Sequence, residues 1–331
     1  MKELGIVKRY EHNPILDAAR IPYDSSLVMN AGVCKFQGKY VMVFRNDVGF
    51  SPNGYGKTYT NLGIAFSDDG IHWTPKSEPW AAPAEIMEQD PDMVRFYDPR
   101  LTVIDGRCYV CFAVDTWHGV RGGVAVTDDF EHLELLSFSA PDNRNMVLFP
   151  EKLDGLFVRL ERPFPVYGRG GEFFDIWASA SPDCRFWGNT RLVLGGEKIP
   201  YTNSKIGPAA PPVKTKHGWL TLLHAVAIDP NRPLSGWEKS NDPKRIWTKE
   251  YMAGVMLLDL QDPTHILGMA KEPLMCAQTP YELDGYRGSV IFPGGMVLED
   301  DGEVKIYYGA ADTVECLATA NVDDLLKACM E

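Results

Sequence analysis

The chain has 331 residues, 45% of them hydrophobic and 24% charged, with a formal net charge of −12. Such length and balance fit a globular protein with a large core rather than a disordered chain. The acidic balance argues against a protein that grips the phosphate backbone of nucleic acid, because such binders gather Lys and Arg; a local basic pocket for a small anion remains open.

The N-terminal MKELGIVKRYEHNPIL has no apolar signal-like run, and no apolar stretch reaches membrane-spanning length, so a cytoplasmic location is expected. From there one cassette recurs five times. A β-rich segment is followed by a polar break and by a second β segment that ends in an acidic turn. The first copy is Tyr40–Asn46 with Ile64–Trp73, and the second is Cys108–Thr116 with Val124–Leu133. Leu156–Pro163 with Ile176–Trp187 follows, then Trp219–Val226 with Gly254–Leu267, then Lys305–Asp312 with Leu317–Leu326. Short strands repeated end to end predict an all-β, five-bladed β-propeller, one domain over residues 1–331.

Hairpin turns are expected at Gln37-Gly38, Asp105-Gly106, Asp154-Gly155, His217-Gly218 and Asp301-Gly302, since such pairs tolerate positive φ. The acidic turns Ser67-Asp68-Asp69-Gly70 and Thr127-Asp128-Asp129 read as capped turns rather than chemistry. The seven cysteines show no paired metal spacing. Cys108 and Cys111 lie inside an expected strand and read as buried apolar thiols. No metal site and no cofactor are expected. Tyr167–Glu172 is Gly-rich but lacks the strand–helix setting of a nucleotide fingerprint, so it reads as a loop.

If the Tyr40–Asn46 series forms the innermost strands, the Pro/Gly-rich segments just before it crowd one end of the central channel. Those are Met29–Gly32, Tyr97–Arg100, Leu148–Lys152, Ile206–Pro212 and Ile291–Gly295. Asp98 stands out among them. A carboxylate between Tyr97 and Arg100 suits a general acid, or an ion pair that only braces the fold. Arg144, Arg162 and Lys205 fall near channel segments of neighbouring blades. Together they suit a small oxyanion, and singly each would read as a surface charge. His224 and Tyr251 lie on later positions, where a lone His is as readily a core residue. Asn30, Arg45 and Asp312 are polar at similar blade positions, fit either to bind sugar hydroxyls or to satisfy backbone groups. Ala227–Glu250 is the longest stretch outside the repeat. Its Trp237 and Trp247 suggest a loop that meets a second protomer or shapes an acceptor site.

With these residues in view the chain resembles glycoside hydrolase family 130, the β-mannoside phosphorylases, over nearly its whole length. The resemblance rests on NAGV at Asn30, FRND, AFSDDGIHW, YDPRLT, LFPEKLDG with LERP, SKIGPAAPP, YYGAAD and LATANVDDLL. The short N-terminus is most similar to the branch acting on β-1,4-mannooligosaccharides. The resemblance implies a five-bladed propeller that performs inverting phosphorolysis, with inorganic phosphate as co-substrate. It implies Asp98 as proton donor, acting through the 3-hydroxyl of the bound mannose, and α-mannose 1-phosphate as product. Arg144, Arg162 and Lys205 fall at its phosphate positions, with His224 and Tyr251 assisting. Asn30, Arg45 and Asp312 fall near its mannose positions, beside Tyr97 and Arg100. Tyr97 stands where many members carry Glu. The alternatives are a hydrolase and a non-catalytic carbohydrate-binding propeller. A hydrolase would need a second carboxylate to activate water; Asp17 is the nearest candidate in the first segment. The expected partners are an oligosaccharide, phosphate and a second copy of the chain, with neither nucleic acid nor membrane.

Overall fold

The computed structural model describes residues 2–165, 174–241 and 248–331. Five separate antiparallel sheets follow one another along the chain. The first blade is Leu27–Phe36, Lys39–Ser51, Gly54–Ser67 and Thr74–Pro75; the second is Met93–Ile104, Arg107–Thr116, Gly119–Thr127 and Glu134–Phe138. The third is Asn143–Leu148, Phe157–Pro163, Ile176–Ser181 and Gly188–Leu194. The fourth begins with Lys205–Pro208 and Val213–Thr215 sharing one neighbour, then runs through Gly218–Ile228, Lys249–Leu258 and Ile266–Met269. The fifth is Ile291–Leu298, Glu303–Ala310 and Val314–Asn321, and its outer edge is completed by Lys8–Arg9 from the start of the chain. This is a five-bladed β-propeller, as the repeat predicts.

The order of strands within a blade differs from the sequence reading. The series Tyr40–Asn46 to Lys305–Asp312 forms the second strand of each sheet. The innermost strands precede it and touch one another around the axis; they contain Met29–Gly32, Tyr97–Arg100 and Ile291–Gly295, whereas Leu148–Lys152 follows the third blade's inner strand and Ile206–Pro212 bridges the two short strands of the fourth. They read as loops because a β-bulge interrupts their alternation. Pairing slips between Met29 and Gly32, Tyr97 and Arg100, Arg144 and Val147, and Pro293 and Gly295. A bulge adds an unpaired residue and re-aims its side chain. At equivalent places in the first three blades the bulged residues Asn30, Asp98 and Asn145 have φ of 55°, 51° and 58°. In the fifth blade the place is taken by Gly294, where a Cβ would come within 2.1 Å of the Ala31 carbonyl oxygen.

Turn chemistry accounts for the hairpins. Gln37-Gly38, Asp105-Gly106 and Asp154-Gly155 all have positive φ at both residues, which suits the right-handed twist of the paired strands. The acidic turns are caps: Asp69 Oδ1 accepts from the N–H of Ile71 and His72, and Asp129 Oδ1 from that of Glu131 and His132. After Leu317 the expected acidic turn is instead the first turn of a helix, Val322–Met330, capped by the Asn321 side chain. That helix buries Leu325, Leu326 and Cys329 in the core shared by the last two blades.

Aromatic packing joins the blades. Phe149 of the third blade meets Trp219 of the fourth edge-on at 5.3 Å. All seven cysteines are buried and unbridged. Trp237, on the short helix Gly236–Asn241, packs edge-on against Tyr286 at 6.4 Å. A buried Arg232–Glu238 ion pair braces the described part of this loop internally, and the Trp237 backbone N–H donates to Asp284 Oδ1 at 3.4 Å. Trp247 and the Tyr167–Glu172 segment lie outside the described residues.

Candidate active site

A cavity of about 260 Å³ opens at the end of the channel where the bulges of the first two blades meet. Asp98 lies in its wall, its side chain 11% exposed. Asn30 Nδ2 donates to Asp98 Oδ1 at 2.9 Å, and Arg45 Nη1 lies 3.6 Å from the same oxygen. Burial alone would push this carboxyl up. Arg45, Arg100, the Asn30 amide and Arg144 outweigh that and hold it below the ordinary aspartate range. These groups therefore hold Asp98 as a carboxylate.

Arg100, expected to touch the sugar, does not line the cavity. It is 2% exposed, and its Nε and Nη1 donate to the carbonyls of Ala209 and Pro99 at 2.6 and 2.8 Å. Its donors brace the inner strands, because a bulge leaves carbonyls that the ladder cannot satisfy.

Arg144 and Arg162 are direct cross-strand partners in the third blade. Like charges in that register repel and destabilise a sheet. Arg162 is 1% exposed, and its Nε and Nη2 have no hydrogen-bond partner among the described residues. Lys205 joins them from the fourth blade, its Nζ 5.3 Å from the Tyr251 ring centre. Burial, with Arg144 next, pushes Arg162 down to about 9; burial, then Arg162 and Arg144, pushes Lys205 down to about 6. The three residues thus form a strained cationic cluster that an oxyanion would relieve.

His224 is fully buried, and its hydrogen bond to the cluster goes to Arg162. Its Nδ1 lies 3.2 Å from the Pro208 carbonyl, which can only accept, so Nδ1 carries the proton. Nε2 then accepts from Arg162 Nη1 at 3.2 Å. Burial and the neighbouring cations hold the ring neutral, well below the ordinary histidine range. Both nitrogens are occupied, so His224 orients Arg162 instead of presenting a free N–H. Tyr251 lines the cavity and lies parallel to His224 at 6.2 Å.

Asp312 also lines the cavity, at φ 48°, paired with Arg287 at 3.2 Å; burial pushes its carboxyl up. Tyr97 lines the wall beside Arg144, and its hydroxyl donates to Asp115 Oδ1 at 2.7 Å. Several lining residues escape the sequence reading. Asp47 is held by Arg45 and by Thr60 at 2.6 Å. Phe50, Arg95, Tyr286 and Arg287 complete the mouth. Asn145, next to Arg144, has a buried amide oxygen with no partner among the described residues. Aligning the blades on their bulges would have set it beside Asn30 and Asp98. Asp17, the candidate hydrolytic base, caps the short helix Ala18–Arg20 and does not line the cavity. The cavity is thus lined by Asp47, Asp98, Asp312 and Asn30, which suit sugar hydroxyls, and by Arg144 from the cationic cluster, while Arg162, Lys205 and His224 do not line it.

A family model described as beta-1,4-mannooligosaccharide phosphorylase matches residues 5–331. The chain is 33% identical to a beta-1,2-mannobiose phosphorylase of Listeria innocua, over 84% of this chain and 70% of that protein. It is 31% identical to a beta-1,4-mannooligosaccharide phosphorylase of Ruminococcus albus, over 97% of this chain and 90% of that one. Among solved structures, the beta-1,2-mannobiose phosphorylase of Listeria innocua in complex with beta-1,2-mannobiose superposes with a TM-score of 0.79 at 26% identity, covering 98% of this chain and 99% of that one.

Proposed function

This chain belongs to glycoside hydrolase family 130, and we propose that it cleaves β-mannosides by inverting phosphorolysis, with β-1,4-mannooligosaccharides as substrate. One observation carries the reading: Arg144 and Arg162 face each other across one ladder beside Lys205, with two Arg162 nitrogens unpartnered among the described residues. A hydrolase has no use for such a cluster, because water brings no charge to hold. A carbohydrate-binding propeller would have no reason to place it behind a buried aspartate.

In this reading phosphate sits on the cationic cluster and mannose lies against Asn30, Arg45, Asp98 and Asp312. A phosphate oxygen attacks the anomeric carbon while the glycosidic C–O bond breaks on the opposite face. The leaving oxygen takes a proton from the mannose 3-hydroxyl, which takes one from Asp98. The products are α-mannose 1-phosphate and an oligosaccharide shorter by one unit. Phosphate on Arg144 offsets one of the cations that hold Asp98 low, and the carboxyl gains its proton only when mannose also covers it. Charge that develops on phosphate and leaving group is stabilised by guanidinium groups already in place.

The β-1,4 linkage is supported by the description of the family and by the Ruminococcus albus relative. The Listeria innocua relative favours a second reading, β-1,2-linked mannobiose. Incubation with β-1,4- and β-1,2-mannobiose, each with and without phosphate, tests both. The expected result is α-mannose 1-phosphate from the β-1,4 substrate only when phosphate is present. Free mannose at full rate without phosphate would make the protein a hydrolase. Turnover of the β-1,2 substrate alone would transfer the activity to the second reading.

A further inference from the structure

Of the three cluster residues, Arg144 is the one that lines the cavity. Among the described residues no carboxylate lies within ion-pair distance of it, and its Nε is buried without a partner. What holds it is a hydroxyl: Nη1 donates to the Tyr97 oxygen at 3.0 Å. Tyr97 has one proton to give, and gives it to Asp115 Oδ1 at 2.7 Å, which leaves its lone pair facing Arg144. The other Asp115 oxygen is paired with Arg95 Nη2 at 2.9 Å. The Arg95 guanidinium in turn lies over the Tyr97 ring, 4.2 Å from its centre.

The sequence places each link. Tyr97 and Asp115 lie on the paired first and second strands of one blade, and Arg95 is the direct cross-strand partner of Asp115. Arg144 comes from the first strand of the next blade. Tyr97 is 1% exposed, and burial keeps its hydroxyl protonated by pushing it above the ordinary tyrosine range.

We propose that Tyr97 and Asp115 are positioning residues for the anion site, orienting Arg144 through a neutral hydroxyl so that its charge stays available to phosphate. The tyrosine fixes direction without cancelling charge, while Asp115 fixes the tyrosine. Tyr97 then serves the phosphate half of the site and not the sugar half. The proposal rests on the phosphorolytic reading above, and deepens it.

Tyr97→Phe removes the hydroxyl and keeps the ring. Losing one hydrogen bond to a charged group should raise the KM for phosphate about tenfold, with the mannoside KM changed by less than about twofold. Asp115→Ala should match it. Asp115→Asn, whose amide oxygen can still accept, should shift phosphate less and so rescue part of the loss. The Tyr97→Phe/Asp115→Ala pair should be no worse than either single variant, because both remove one relay. Calorimetric titration of the unliganded protein with inorganic phosphate should show the same loss of affinity without turnover. A mannoside KM that rises while phosphate affinity stays at the wild-type value would make Tyr97 a sugar contact and overturn the proposal. So would additive effects in the double variant. Wild-type turnover that ignores phosphate would instead overturn the phosphorolytic reading. The calorimetric comparison would then still decide the relay, and a wild type that binds no phosphate would sink both.

Discussion

At the scale of single residues, the cationic cluster is organised by charges that have no ion-pair partner among the described residues. Lys205 is the clearest case. Burial and the two arginines bring its ammonium down to about 6. Between that value and the ordinary lysine range the folded protein binds fewer protons at this position than the unfolded chain. The group therefore contributes its full share of stability only above the ordinary lysine range, and that share falls as pH drops towards about 6. A dianion beside Lys205 reverses the balance and restores the proton. Phosphate binding at about pH 8 should thus take up about one proton, read as an observed enthalpy that changes with the ionisation enthalpy of the buffer. Lys205→Met should abolish the uptake and weaken phosphate. A wild type that binds phosphate at that pH with no uptake would mean that Lys205 is already charged, and the cluster less strained than its geometry implies.

At the scale of elements, the bulged inner strand is the working part of the first three blades. It lifts Asn30, Asp98 and Asn145 into left-handed backbone and turns them out of the ladder. The fifth blade has no room for a side chain there. In Gly294→Ala the new Cβ would meet the Ala31 carbonyl oxygen, next to Asn30, at 2.1 Å. Overpacking of this kind costs about 1–3 kcal/mol, measurable by urea unfolding. The shift at Ala31 should also lower kcat, because Asn30 holds Asp98. A variant with wild-type stability would show that the first and fifth inner strands can slide apart freely. The same bulges explain what the sequence disclosed. Blade number was legible, since hairpin pairs such as Asp105-Gly106 and capped turns such as Thr127-Asp129 recur. The inner strands were not, because Pro99 and Gly294 break the alternation that marks a strand. The cations and Asp98 were visible as charges near channel segments of neighbouring blades, and Arg144 and Asp98 both line the cavity. Asp47 stayed hidden because its place depends on an Arg45 contact made across a pleat. Arg100 misled for the converse reason: a charge beside Asp98 in sequence turns its donors to backbone carbonyls.

At the scale of the whole molecule, a ring of blades needs a closure, and here the chain supplies it from its beginning. Lys8–Arg9 adds the outer strand to the last blade, with Lys8 opposite Thr319 and Arg9 opposite Ala318. Backbone pairing over two residues is weak by itself. The closure is reinforced by Arg9, whose Nε donates to Glu282 Oε1 at 2.7 Å and whose Nη2 donates to the Cys276 carbonyl at 2.8 Å. Glu282 is completely buried. It also accepts from the N–H groups of Gln278 and Thr279 and from the Tyr308 hydroxyl, so it ties the entry of the fifth blade to its second strand. Arg9→Met keeps the length of the side chain and leaves this carboxylate without its cation. Removing one partner of a buried pair costs about 3 kcal/mol or more. Urea unfolding should register that loss, while Lys8→Met, at an exposed position on the same strand, should stay within about 0.5 kcal/mol of the parent. The site lies at the axis, where inner strands from the first, second and third blades meet, so a loosened ring should also lower turnover before it lowers folded content. Equal stability of the two variants would place the closure in the backbone ladder and the apolar contacts of the N-terminal segment instead, with Glu282 satisfied by its neutral donors.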